Sequence, residues 1–89
     1  MEFEWDPAKA QENEAKHKVS FAEATEVFVD NRSSSALDPD HSVDEERFVI
    51  FGRTLKDRYL VAAFTDRGAR LRLISAREMT RRERQAYEQ

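Results

Sequence analysis

The sequence predicts a small α+β domain. In it, an antiparallel β-sheet, a meander, packs against two N-terminal helices and one C-terminal helix. Three observations predict this class: two helix-start patterns in the first third of the chain, three strand-like segments with short connections in the second half, and a further helix-start pattern near the end. The length of 89 residues fits one domain, and we expect a single domain over residues 1–89.

The first elements are a short strand and a polar helix. Phe3 and Trp5 alternate with glutamates, which indicates a short strand. Asp6 is a typical N-cap, and Pro7 follows at the first helical position, where its missing N–H costs nothing. We expect this helix to run to about Lys16.

A second helix is predicted immediately afterwards. The segment Ser20-Phe21-Ala22-Glu23 has the spacing of a capping box, and the helix should continue to about Phe28. Ala24, Val27 and Phe28 give it an apolar stripe at helical spacing, so this side should face the core.

The second half of the chain is predicted to form the sheet. A polar stretch comes first, in which Ser33 to Asp38 fits an edge strand. Three stronger strand patterns follow, separated by connections short enough for hairpins: Arg47–Phe51, Arg58–Thr65 and Arg70–Ser75. The segment Ser75-Ala76-Arg77-Glu78 is another capping box, and it predicts the start of the C-terminal helix.

The hairpin lengths predict a strand register. They place Phe51 opposite Tyr59, and they place Arg47 and Arg72 on either side of Ala63. One face of the sheet is then uniformly apolar and should meet the helices. Its residues are Phe48, Ile50, Leu60, Ala62, Phe64, Leu71 and Leu73.

The opposite face carries the candidate binding residues. Arg47, Arg70 and Arg72 form a cluster suited to bind phosphate, because a guanidinium group can donate two hydrogen bonds to one phosphate. The same register places Glu45 and Thr65 opposite each other on this face, beside the arginines. Tyr59 is a candidate for stacking on a base. The alternative is a solvated strand face whose arginines pair with Glu45 and Asp66.

Composition excludes several kinds of site. The absence of cysteine excludes a disulfide scaffold, a zinc finger and a thiol nucleophile, and two glycines cannot build a phosphate-binding glycine loop. His17 and His41 are isolated, so we expect chemistry without a metal or a cofactor. The chain has no apolar run of membrane-spanning length, and its N-terminus is acidic, so we expect a cytoplasmic protein with no membrane partner.

Charge is distributed unevenly along the chain. Residues 1–51 contain thirteen acidic and five basic residues, whereas residues 52–89 contain ten basic and five acidic residues. The net charge of -3 argues against nucleic-acid binding by the whole surface, but a local basic face still attracts phosphate. The acidic half is alternatively a surface for a basic protein partner.

At several points the sequence resembles the BrnT family. The matching single positions are Asn13, Phe28 and Asp30. The longer matching segments are residues 3–9 (Phe-Glu-Trp-Asp-Pro-Ala-Lys), 16–24 (Lys-His-Lys-Val-Ser-Phe-Ala-Glu-Ala), 41–42 (His-Ser), 45–47 (Glu-Glu-Arg), 72–77 (Arg-Leu-Ile-Ser-Ala-Arg), 83–84 (Glu-Arg) and 87–88 (Tyr-Glu).

The resemblance implies a fold similar to RelE-type ribonucleases and a metal-independent endoribonuclease that arrests translation. It also implies a partner, a BrnA-like antitoxin with a ribbon-helix-helix domain. The two proteins would form an inert hetero-oligomer, which contacts DNA only through the antitoxin. Arg47, Arg72 and Arg77 match family positions, and Arg77 is placed at the start of the last helix, where it could assist at the phosphate.

Three functions remain open at this point. The first is the toxin ribonuclease, with Glu45, His17 and Tyr59 as candidates for the general acid and base. For His17, a cation favoured by the C-terminus of its helix is the alternative. The second function is a non-catalytic module that acts as a co-repressor partner of the antitoxin. The third is a free-standing nucleic-acid binder, which the net charge disfavours.

Overall fold

A computed structural model describes residues 1–38, 40 and 45–89, and it confirms the α+β class. These residues form one five-stranded sheet with the order β1-β5-β4-β3-β2. The sheet is mixed rather than antiparallel, because β1 runs parallel to β5. The elements are β1 (Glu2–Glu4), α1 (Pro7–His17), α2 (Phe21–Ala24), a 3₁₀ helix (Thr25–Val29), β2 (Ser34–Leu37), β3 (Phe48–Arg53), β4 (Tyr59–Asp66), β5 (Arg70–Glu78) and α3 (Arg81–Tyr87).

The N-terminal helices begin where their capping residues predict. The Asp6 carboxylate accepts a hydrogen bond of 2.8 Å from the Ala8 amide, and the Ser20 hydroxyl accepts one of 3.0 Å from the Glu23 amide. The side chain of Glu23 binds Arg58, which immediately precedes β4, rather than closing the capping box. The second helix tightens into the 3₁₀ helix after Ala24 and ends at Val29.

The apolar face of the sheet matches the sequence prediction. Ile50, Leu60, Ala62, Phe64 and Leu73 are buried against Val19, Phe21, Ala24 and Val27, while Phe48 and Leu71 pack at the margin of this core. Gly52 allows the 3₁₀ helix to approach β3 closely, because a Cβ atom there would lie 2.8 Å from the Cβ of Val27. The helical layer and the sheet therefore share one continuous core.

Asn13 is a buried polar link between α1 and β5. Its amide nitrogen donates to the carbonyls of Val19 and Ala76 at 3.0 and 2.8 Å, and its amide oxygen accepts from the Ala76 N–H at 3.0 Å. Asn13 is only 7% exposed, so these three bonds satisfy backbone groups that water reaches poorly.

The predicted strand register is wrong by two residues. Phe51 lies opposite Val61 instead of Tyr59, since β3 extends to Arg53 and the turn that follows lies one residue further along the chain than expected. Thr65, and not Ala63, is the partner of Arg72, and a bulge between Ala63 and Phe64 adds a further shift. The apolar face was still predicted correctly because side chains alternate with a period of two.

The C-terminal helix begins later than predicted and lies on the other side of the sheet. β5 continues to Glu78, and Thr80 with Glu83 forms the capping box that starts α3. The aromatic ring of Tyr87 meets that of Tyr59 at a centroid distance of 5.8 Å. Tyr59 faces away from the apolar core, so the helices do not all cover one face. We call this second side the outer face.

Asp30 links α3 to the rest of the fold through hydrogen bonds. Its carboxylate accepts hydrogen bonds from the Tyr87 hydroxyl and from the amides of Arg53 and Arg32. Burial would raise the pKa of Asp30, but these hydrogen bonds outweigh it and lower the pKa. Burial and the bond to Asp30 raise the pKa of Tyr87 to about 12.

No helix among the described residues is long and apolar enough to cross a membrane.

Candidate functional site

The outer side of the sheet contains a small cationic cavity, which we call the arginine pocket. It measures about 170 Å³, and its charged and polar lining residues are Asp6, Lys9, Glu45, Arg47, Thr65, Arg67 and Arg72. Four of these residues were predicted for the site, namely Glu45, Arg47, Thr65 and Arg72. They meet because Thr65 pairs with Arg72, and Arg47 immediately precedes β3, whose first residue Phe48 pairs with Phe64.

A second cavity continues from Arg47 along the outer face. This central cleft measures about 270 Å³, and it has Arg47 at one end and Arg77 at the other. Val49, Val61, Ala63 and Ser75 form a floor of short side chains between the two arginines. The cleft therefore leaves room above the sheet beside two guanidinium groups and the carboxylate of Asp38, although Ala63 does not separate Arg47 from Arg72 as predicted.

Each arginine that β5 contributes is paired with a carboxylate. The parallel pairing of β1 with β5 places Glu4 opposite Arg72 and Glu2 opposite Arg70. The Arg72–Glu4 and Arg70–Glu2 ion pairs have N–O distances of 2.8 and 3.2 Å. These carboxylates differ from the pairing partners, Glu45 and Asp66, that the sequence suggested. A phosphate entering the arginine pocket would share Arg72 with Glu4.

Thr65 provides an unsatisfied hydrogen-bonding group beside these arginines. The residue is 3% exposed and lines the arginine pocket, yet its hydroxyl has no hydrogen-bond partner in the part of the chain that the structure describes. A buried hydroxyl without a partner costs roughly 1–3 kcal/mol. The hydroxyl oxygen is covered by protein atoms, so a ligand oxygen in the pocket would reach it only after the covering side chains moved.

Arg77 occupies a strand position and not the first turn of a helix. Its guanidinium group donates to both carboxylate oxygens of Glu83 at 2.8 and 2.9 Å, which ties β5 to α3. This paired hydrogen bond from Arg77 lowers the pKa of Glu83 to about 2. The same bond raises the pKa of Arg77. Arg77 therefore enters the central cleft already bound to a carboxylate.

Besides Arg77, three predicted residues lie apart from the arginine pocket. Arg70 is held by Glu2 at the exposed start of β5. Tyr59 lies under α3, where the Arg84 guanidinium sits 3.8 Å from the centroid of its ring, so this face is closed to a base. His17 lines a shallow cavity of about 260 Å³ that shares Lys9 with the arginine pocket and Ser75 with the central cleft.

The sequence did not reveal two cationic members of the arginine pocket. Lys9 comes from the first turns of α1, and Arg67 from the β4–β5 turn, where it pairs with Glu45 at 3.1 Å. Neither belongs to a strand, so strand alternation could not place them. His41 lies outside the described residues. Among the described residues, no group of three or more His, Cys, Asp or Glu side chains is placed to hold a metal ion.

Comparison with known proteins identifies the family. A family model described as "Ribonuclease toxin, BrnT, of type II toxin-antitoxin system" matches residues 5–83. The 1.1 Å crystal structure of the Brucella abortus ribonuclease toxin BrnT has a TM-score of 0.67 and 25% sequence identity with this chain. The match covers 91% of this chain and 99% of the Brucella chain. No curated protein sequence matches.

Proposed function

We propose that this chain, which belongs to the BrnT ribonuclease toxin family of type II toxin–antitoxin systems, is a metal-independent endoribonuclease that arrests translation in the cytoplasm. The observation that carries the proposal is the arginine pocket, which brings Arg47 and Arg72 together beside Thr65, whose buried hydroxyl has no partner among the described residues. A phosphodiester in this pocket would accept hydrogen bonds from Arg47 and Arg72, in competition with the Glu4 carboxylate that Arg72 already binds.

The chemistry uses a nucleophile that RNA itself supplies. The 2′-hydroxyl attacks the adjacent phosphorus and loses its proton to a general base, while the bond to the leaving 5′-oxygen breaks and that oxygen takes up a proton. Arg47 and Arg72 would stabilise the extra negative charge on the phosphorus oxygens. Glu45, which lines the pocket, is our candidate for the base, and His17 in the neighbouring cavity is a candidate acid.

The family also implies an antitoxin, and we propose that it is a BrnA-like ribbon-helix-helix protein that forms an inert hetero-oligomer with this chain. It would cover the arginine pocket or its rim, since an open pocket would leave RNA access to the toxin. Acidic groups suit this task because they imitate phosphate and make the association salt-sensitive. Contact with DNA would occur only through the antitoxin.

The ion pairs favour one alternative function. Because Arg70, Arg72 and Arg77 are each bound to a carboxylate, a non-catalytic module that serves as a co-repressor partner would also fit the structure. In that case the arginines of β5 stabilise the fold and bind no substrate.

RNA cleavage by the purified protein in the presence of EDTA separates the two functions. We expect cleavage of a single-stranded RNA and none of the same strand with 2′-deoxyribose. Arg72→Ala should lower the rate about a hundredfold and relieve growth arrest when the chain is expressed without its partner. Arg81→Ala, on the exposed first turn of α3, is the matched control.

Two results would contradict the proposal. If the wild-type chain does not cleave RNA with EDTA present, the co-repressor alternative replaces it. If a folded Arg72→Ala variant cleaves at the wild-type rate, the arginine pocket is not the site.

A further inference from the structure

We propose that the free edge of β2 and the cavity beside it bind an extended acidic segment of a partner protein, which adds a sixth strand to the sheet. This surface is distinct from the arginine pocket. The inference does not depend on ribonuclease activity, because it rests on a different edge of the sheet and on different arginines.

The edge of β2 is unprotected in the described structure. Among the described residues, β2 is the last strand of the sheet and pairs only with β3, and all four of its residues, Ser34–Leu37, are exposed. Sheet edges are usually protected by charged side chains, prolines or bulges, but this segment reads Ser-Ser-Ala-Leu. Such an edge can accept the backbone of another chain through main-chain hydrogen bonds.

A cavity of about 500 Å³ opens beside this edge. Ser34 and Phe51, which face each other across β2 and β3, contribute to its lining, and Ala86 and Tyr87 close it from α3. It also contains Arg32 and Arg82. The cavity thus combines apolar surface with two guanidinium groups at the border of the sheet.

The charges in this cavity are unbalanced. Within the described part of the chain, neither Arg32 nor Arg82 makes an ion pair or a side-chain hydrogen bond, whereas Arg72 and Arg77 are both paired. Glu83 also lines the cavity, but both of its carboxylate oxygens are bound by Arg77. The complementary ligand is therefore an anionic group that reaches Arg32 and Arg82 together.

The adjoining strand edge favours a peptide over a nucleic acid. An edge presents alternating N–H and C=O groups, which another backbone in the extended conformation can satisfy and a phosphate backbone cannot. In the added strand, a residue beside Ser34 on the outer face would point towards the cavity, so a carboxylate suits that position. Residues on the other face would meet Leu37, which is 47% exposed, so apolar residues suit the alternate positions.

The test is a titration of the ¹⁵N-labelled protein with a blocked synthetic peptide of alternating Glu and Val, followed by NMR. We expect amide shifts at Ser34–Leu37 and at Arg32. Arg32→Gln and Arg82→Gln should each weaken binding about three- to fivefold. Arg81→Gln removes the same charge from α3 outside the cavity and should leave the affinity unchanged.

Two further probes give outcomes that decide the proposal. A peptide methylated on alternate amide nitrogens keeps its side chains but cannot complete the ladder, so it should not bind. The proposal is overturned if the unmodified peptide does not shift the β2 amides, if methylation has no effect, or if the Arg32 and Arg82 variants bind as wild type does. It is also overturned if a single-stranded RNA displaces the peptide from these amides. Peptide binding in a protein that does not cleave RNA would support this inference and refute only the ribonuclease proposal.

Discussion

The buried hydroxyl of Thr65, beside Arg72, has no hydrogen-bond partner among the residues that the structure describes, and a buried hydroxyl without a partner destabilises the fold. Binding sites commonly retain polar groups that the folded chain itself leaves unsatisfied. A threonine that only filled space at this position would be replaceable by valine, which has a similar shape and no hydroxyl.

Thr65→Val should therefore separate stability from activity. We expect the free energy of unfolding to rise by about 1 kcal/mol, because the unsatisfied hydroxyl is removed, while RNA cleavage falls. Urea unfolding and the cleavage assay measure the two effects. A variant that is less stable, or one that is more stable with undiminished cleavage, would show that the hydroxyl has no ligand.

Asn13 shows the opposite arrangement, since every polar atom of its side chain is engaged. We expect Asn13→Ala to lower the free energy of unfolding by about 3 kcal/mol or more, because it leaves two carbonyls and one N–H of the core without partners. Gln11→Ala on the exposed side of α1 is the control and should change stability little. Equal urea midpoints for the two variants would contradict the role assigned to Asn13.

At the scale of elements, local sequence signals predicted where helices begin better than where strands end. Asp6, Pro7 and Ser20 fixed the helix starts because a cap depends only on neighbouring residues. The end of β5 was mispredicted because two segments have capping-box spacing, residues 75–78 and residues 80–83. Pairing with β4 and the bonds from Asn13 to Ala76 hold the first segment in the strand, and no local signal reports those distant contacts.

The docking of α3 should depend on pH through Glu83. Its pKa is lowered in the folded state from 4.5 to about 2 by Arg77. The stabilisation is therefore present above pH 4.5 and lost as the pH falls towards about 2. We expect the NMR signals of α3 and of Tyr87 to shift across this range. Glu83→Gln, which keeps an acceptor for the capping box, should remove this component, whereas Glu88→Gln should retain it; identical titrations of both variants would contradict the assignment.

At the scale of the whole molecule, the uneven charge of the sequence becomes a set of internal ion pairs. The acidic N-terminal strand lies along the basic β5, so Glu2 and Glu4 meet Arg70 and Arg72. Composition indicated a basic half and an acidic half, but not that the two would neutralise each other, because the β1–β5 pairing joins residues about seventy positions apart. Strand alternation predicted which residues share a face, while the register depended on turn geometry and on a bulge.

This charge pairing makes Glu4 a competitor of the substrate phosphate. If the arginine pocket binds RNA, part of the binding free energy is used to weaken the Arg72–Glu4 pair. Removing the carboxylate would leave Arg72 fully available. Removing the carboxylate would then strengthen RNA binding. Removing one partner of a purely structural ion pair would instead weaken it.

We therefore expect Glu4→Gln to increase RNA affinity and to strengthen its salt dependence, with the slope of log K against log salt growing by about 0.7 for one more phosphate neutralised on a single strand. Fluorescence anisotropy with a labelled, uncleavable 2′-deoxy oligonucleotide at several salt concentrations measures both quantities. Glu14→Gln makes the same change in net charge on the exposed side of α1, and it should alter neither quantity to the same degree. Equal effects of the two variants would show that net charge alone governs binding. Weaker binding by Glu4→Gln would show that the ion pair positions Arg72 and does not compete for it.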